Sequence, residues 1–193
     1  MPRLFTGLDV PRPVAMALSQ WRGGLSGARW IDPDQYHVTL RFFGDVDLAC
    51  ARMLDDMLAQ AFHPVFTLKI AGLRIFGGDR PRALVAEIAP DTELLHLQAE
   101  QERMARRAGL EAQTRKFTPH VTLARLRDVS PYQAAAFLSG AGVLPPLSFP
   151  VEHCVLYSSR SGVGGGPYVM EAVYPFGADM DDEEEDWAYA DRA

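Results

Sequence analysis

His37-Val38-Thr39-Leu40 returns, residue for residue, as His120-Val121-Thr122-Leu123 in the second half of the chain. Each copy sits in a stretch that reads as a β-strand, where successive side chains point to opposite faces. His and Thr, two apart, therefore share one face, while Val and Leu share the other. The Val–Leu side is apolar and belongs against a core. The His–Thr side presents an imidazole and a hydroxyl to a surface. One copy alone is a pattern that chance produces often, but two identical copies in matching strand contexts are not readily coincidence. If the two halves are duplicated lobes, the motif strands meet across a pseudo-two-fold axis, and two imidazoles and two hydroxyls converge on one cleft.

The flanking sequence places these strands among alternating elements. The first motif strand ends at Gly44-Asp45, and Asp47 then caps a helix running to about residue 62, with Met53, Leu54, Met57, Leu58 and Ala61 on one face. Upstream, residues 3–9 read as a strand and 13–25 as a helix. Downstream, 65–75 and 83–89 form a hairpin around Gly77-Gly78-Asp79. Asp91 opens a helix to about Ala108, stopped by Gly109. Residues 116–125 read as the second motif strand, 131–138 as a short helix, and 151–158 and 168–174 as the last two strands around the glycine-rich loop 162–166. Strands interleaved with covering helices make an α+β domain.

Composition narrows the class further. At 193 residues, with 48% hydrophobic and 23% charged residues, the chain supports one packed domain or two small lobes, which excludes global disorder. Its two cysteines, Cys50 and Cys154, form neither a CxxC pair nor a disulfide framework, which suggests a reducing compartment. The N-terminus lacks the pattern of a secretory signal, and no run approaches the ~20 apolar residues of a membrane helix, so a cytoplasmic protein without membrane attachment is the expectation. The net charge of −6 resides in residues 178–193, where eight acidic residues face one arginine. That segment is expected to be a disordered tail, leaving residues 1–177 as one domain of nearly neutral charge.

The paired motif suits phosphodiester chemistry. Two imidazoles of ordinary pKa near ~6.5 can stand one neutral and one protonated around neutral pH. The neutral ring can deprotonate an attacking water while the protonated ring supplies the leaving oxygen with a proton. The Thr39 and Thr122 hydroxyls can donate to non-bridging phosphate oxygens. Metal binding is the rival use of paired histidines, but no HExxH or close carboxylate–histidine cluster accompanies them, so neither a metal nor a cofactor is expected. His63, His96 and His153 lack such context and read as structural or surface residues. No Walker-type loop or dinucleotide fingerprint is present.

Together, Arg3-Leu4-Phe5 with Pro11, the block from His37 to Gly44, Arg80-Pro81-Arg82, and Phe117 to Arg125 resemble the two-histidine phosphoesterase superfamily. In detail they are similar to its bacterial and archaeal RNA 2′,3′-cyclic phosphodiesterase branch, historically called 2′–5′ RNA ligase. The resemblance implies two pseudo-symmetric lobes, each an antiparallel sheet with helices on its outer side, around a central cleft. It implies hydrolysis of RNA 2′,3′-cyclic phosphate ends to 2′-phosphomonoesters, with reversible 2′–5′ ligation by the same residues. His37 would be the proton donor, His120 the acceptor that activates water, and Thr39 and Thr122 the phosphate grip. Arg125 matches a basic position that the family associates with phosphate, yet five residues from His120 a regular strand points it the wrong way, so a bulge is required. Arg41, four residues after His37, has the right parity and is the second candidate. The implied partner is RNA with a cyclic phosphate end, tRNA fragments among the sources, acted on by a monomer. Two alternatives stand beside this: a phosphodiesterase for another small cyclic nucleotide, and a non-catalytic RNA-end-binding module.

Overall fold

The computed structural model describes residues 3–142, 145–159 and 168–177; the glycine-rich loop 162–166 and the acidic tail 178–193 lie outside the described residues. Three of its helices begin where the sequence offers a capping side chain. Asp47 Oδ1 accepts from Cys50 N at the start of α2 (Leu48–Ala59), and Asp91 Oδ1 from Leu94 N at the start of α3 (Thr92–Arg107). Ser130 and Gln133 form a reciprocal capping box at α4 (Pro131–Gly140). The first helix, α1 (Arg12–Ser19), starts on a proline without a side-chain cap and is shorter than its apolar spacing suggests. Gly23, Gly24 and Gly27 all adopt positive φ beyond it, so the chain turns away.

The strands are β1 (Arg3–Asp9), β2 (Ala28–Trp30), β3 (His37–Asp45), β4 (Phe66–Phe76), β5 (Ala83–Ile88), β6 (His120–Leu126), β7 (Ser148–Val151), β8 (His153–Ser159) and β9 (Tyr168–Pro175). They form one antiparallel sheet in the order β7-β4-β5-β6-β3-β1-β8-β9, with β2 also paired to β6. Two half-sheets are therefore present, β7-β4-β5-β6 and β3-β1-β8-β9. They are continuous because the two motif strands pair with each other, at Val38 and Val121.

Helices bury their apolar stripes against these halves. Val14, Ala15 and Leu18 of α1, Leu94 and Leu97 of α3 and Ala134 of α4 join the larger core with Leu68, Leu84, Val121 and Leu123. Leu54 and Leu58 of α2 and Met104 and Ala105 of α3 pack with Leu4, Phe43, Leu156 and Tyr174 in a second cluster. Truncating a wholly buried leucine such as Leu54 or Leu97 to alanine costs about 2–5 kcal/mol at sites of this kind. Among the described residues, no helix is long and apolar enough to cross a membrane.

Candidate active site

The Val38–Val121 pair sets the register of the site. In an antiparallel ladder the flanking positions face each other across the strands, so Thr39 lies opposite His120 and His37 opposite Thr122. Cross-strand neighbours have Cβ atoms about 4.5–5.5 Å apart, and diagonal ones remain within reach of long or aromatic side chains. The four motif side chains thus occupy the corners of a quadrilateral with the imidazoles on one diagonal. Val38, Leu40, Val121 and Leu123 are buried, as the alternation requires.

At the last residue of each motif the strand bulges. Pairing of β5 with β6 skips Leu123, and pairing of β1 with β3 skips Leu40. One extra residue inverts the parity of everything beyond it. Arg125 thereby comes onto the histidine face, and its positive charge lowers the pKa of both His37 and His120. The same bulge sends Arg41 the other way, which corrects the expectation based on regular alternation. Arg41 is 4% exposed, with Nε 2.6 Å from Glu102 Oε2 on α3 and Nη2 donating to the Glu111 carbonyl at 2.6 Å. It also donates to the Phe42 carbonyl. Arg41 braces the scaffold behind the cleft, and the position equivalent to Arg125 is held by Phe42, 52% exposed.

Both imidazoles are locked in the same way. His37 Nδ1–H donates to the Gln35 carbonyl at 2.8 Å, and His120 Nδ1–H to the Thr118 carbonyl at 2.7 Å. A carbonyl only accepts, so in the neutral ring the proton sits on Nδ1 and Nε2 is left as a base. His37 is enclosed by rings: Phe5, Tyr157 and Tyr168 have centroids 5.2, 5.5 and 5.3 Å from it. Gly7 permits that packing, since a Cβ there would stand 3.0 Å from the Val38 carbonyl and 3.5 Å from the His37 ring. Burial, foremost, pushes the pKa of His37 down to about 4, with His120 and Arg125 adding repulsion against the Gln35 hydrogen bond. His120 is also lowered, by burial first and then by Arg115 and Arg125, while the Thr118 bond and Glu87 oppose the shift. Without an anion between them, both rings are neutral at pH 7.

Phe76, with its ring 4.8 Å from that of His120, Tyr168 beside His37, and the segment 112–118 are part of this surface and carry no motif that sequence reasoning could use. Tyr168 opens β9, and its backbone N–H donates to Gln35 Oε1 at 2.8 Å, which ties the last strand to the turn before His37. His63 and His153 pair with Glu100 and Asp9. Among the described residues no group of three or more His, Cys, Asp or Glu is placed to hold a metal ion.

Known proteins are similar to this chain in sequence and fold. The family model of the 2′-5′ RNA ligase superfamily matches residues 10–163. The RNA 2′,3′-cyclic phosphodiesterase of Bacillus subtilis is 30% identical over 130 residues, 64% of this chain and 71% of its own length. Its Escherichia coli namesake is 28% identical over 176 residues, 86% of this chain and 92% of its own. Among solved structures, E. coli LigT complexed with 3′-AMP superposes with a TM-score of 0.73 at 25% identity, over 92% of this chain and 100% of its own. A Thermus thermophilus protein at 23% identity and a TM-score of 0.69, over 90% of this chain and 97% of its own, shares the fold.

Proposed function

The chain belongs to the 2′-5′ RNA ligase superfamily, and on that premise we propose that it hydrolyses 2′,3′-cyclic phosphates at RNA ends to 2′-phosphomonoesters, without a metal ion. The observation that carries this reading is the diagonal pair of Nδ1-locked imidazoles with Arg125 acting on both. Relatives named RNA 2′,3′-cyclic phosphodiesterase support the substrate class.

The bound phosphate anion supplies the counter-charge that raises the pKa of the two rings, so one of them holds a proton in the complex. His37 Nε2 then donates to the departing 3′-oxygen, and His120 Nε2 takes a proton from water attacking in line. Thr39 and Thr122 donate to the non-bridging oxygens, and Arg125 balances the charge that accumulates there. Phosphate stays on the 2′-oxygen. All these side chains come from one chain, which supports action as a monomer, and the cyclic ends of tRNA fragments are substrates of this class. A module that only bound RNA ends would have no use for two proton carriers.

Turnover of a 2′,3′-cyclic mononucleotide and of an oligonucleotide with the same end, monitored by phosphorus NMR, tests the reading. The expected product is a 2′-phosphate, formed equally fast in saturating EDTA. Activity lost to chelator and restored by zinc or manganese, or no turnover of either substrate, would overturn it. Turnover of the mononucleotide alone would favour the small-cyclic-nucleotide alternative.

A further inference from the structure

The arginines of the sheet divide into two sets. Arg3, Arg41 and Arg74 each meet a carboxylate, on Asp45, Glu102 and Glu87. Arg29 and Arg125 do not: both are exposed, and among the described residues neither has an acidic partner. Yet these two stand directly opposite each other, Arg29 on β2 and Arg125 on β6. The register is pinned at both ends of β2, where the Gly27 carbonyl accepts from Arg127 N–H and Ile31 N–H donates to the Leu123 carbonyl, each at 2.9 Å. Ala28 and Trp30 pack toward the core, so Arg29 points the other way, onto the face that carries Arg125 and the histidines. Facing positions of such a ladder have Cβ atoms about 4.5–5.5 Å apart, and like charges there work against folding. Neither arginine lines the pocket of about 350 Å³ beside His120.

Two facing guanidiniums without a carboxylate form a site that an anion completes. We propose that Arg29 is a second phosphate-binding residue, holding the 5′-phosphate of the terminal nucleotide while Arg125 holds the cyclic phosphate. The inference rests on the proposed hydrolysis and adds what the site demands of its substrate, a nucleotide that carries a phosphate on its 5′ side. Position separates the two roles. Arg125 is close enough to both imidazoles to lower their pKa, and Arg29 is not among the charges acting on either. Arg29 therefore stands one strand beyond the reacting phosphate, about 4.8 Å across the ladder, where the next anion of a chain end comes. Chemistry favours the same occupant, because a guanidinium presents a planar fork matched to two phosphate oxygens. A second phosphate beside the pair also screens the repulsion between the two cations, so the ladder is relieved when the substrate binds. A lone nucleoside cyclic phosphate engages Arg125 and leaves Arg29 unsatisfied.

The test compares adenosine 2′,3′-cyclic phosphate with the same nucleotide carrying a 5′-phosphate, both turned over by the full chain. With the unaltered chain, kcat/KM should be about tenfold higher for the 5′-phosphorylated substrate. Arg29→Gln should bring that ratio close to one. Arg125→Gln should slow both substrates and leave the ratio in place. The ratio is internal to each variant, so a chain of reduced overall activity remains informative. Binding gives a second readout that needs no turnover. By titration calorimetry, adenosine 2′,5′-bisphosphate should bind about tenfold more tightly than adenosine 2′-phosphate, and Arg29→Gln should erase the difference. A ratio of one in the unaltered chain would overturn the assignment, as would a preference that survives Arg29→Gln or collapses with Arg125→Gln instead. If the unaltered chain hydrolyses neither substrate, the parent reading sinks, and the calorimetric preference still decides whether Arg29 binds the 5′-phosphate.

Discussion

β3 and β6 carry the same tetrapeptide and the same bulge, and differ in the next two residues: Arg41-Phe42 in one, Ala124-Arg125 in the other. In each strand the fifth position points behind the sheet and the sixth toward the cleft. An arginine at the fifth is a buried brace, and one at the sixth is a charge beside two imidazoles. The backbone frame is shared, and one step along it decides whether a guanidinium serves folding or the site. The two histidines differ as sharply. His120 keeps an opening beside Phe42 and Phe76, whereas His37 is closed in by the rings of β1, β8 and β9.

The largest effects should come from the histidines themselves. His37→Ala and His120→Ala should each lower kcat on a cyclic nucleotide by ~10²-fold or more. Only His37→Ala should recover on a nucleotide ester whose aryl leaving group departs without a proton. Rescue at His120 instead would exchange the two roles while keeping the pair.

The arginines should separate by observable. Arg41→Met leaves Glu102 without its ion-pair partner and frees the Glu111 and Phe42 carbonyls, and should cost about 3 kcal/mol in urea unfolding. Arg125→Met, at an exposed strand position, should leave the unfolding midpoint nearly unchanged while activity falls. If Arg41→Met unfolds at the same urea concentration as the parent, the brace does not hold.

A smaller effect concerns pH. His37 in the folded chain takes up a proton only near pH 4, below the ordinary value of 6.5, so the unfolded chain protonates first as pH falls. Stability from this residue is therefore complete above about pH 6.5 and lost progressively toward pH 4. At pH 5 the loss is about 2 kcal/mol. Urea curves at pH 7 and pH 5 should show a drop that His37→Asn largely abolishes, and a slope unchanged in that variant would contradict the depressed pKa.

What was legible in the sequence was whatever obeyed a period. The His–Thr alternation, the Val–Leu anchor, and the caps at Asp47 and Asp91 depend on local geometry and reappear in the fold. The bulges did not announce themselves, because Leu40 and Leu123 are the residues that an unbroken strand would also place in the core. Without them Arg41 has the right parity and Arg125 the wrong one. Residues 116–119 look strand-like, yet β6 begins at His120, since Pro119 has no N–H to give to a ladder and contributes only its carbonyl, to Ile88 N. The three-residue β2 is too short for any alternation to show. The pocket beside His120 draws on β3, β4 and the segment before β6, a gathering that no local pattern encodes.

The position of β1 between β3 and β8 bears on the order in which the chain can assemble as it is synthesised. β4, β5 and β6 lie close together in sequence, so the half-sheet around His120 can pair while later residues are still being added. Phe5 instead waits for Tyr157, which stacks on it, and Tyr168, which meets it edge-on, both from the far end of the sequence. A nascent chain that has passed β6 already carries both histidines. It lacks the rings of Tyr157 and Tyr168 that enclose His37, so that wall of the cleft is completed only with the last strands.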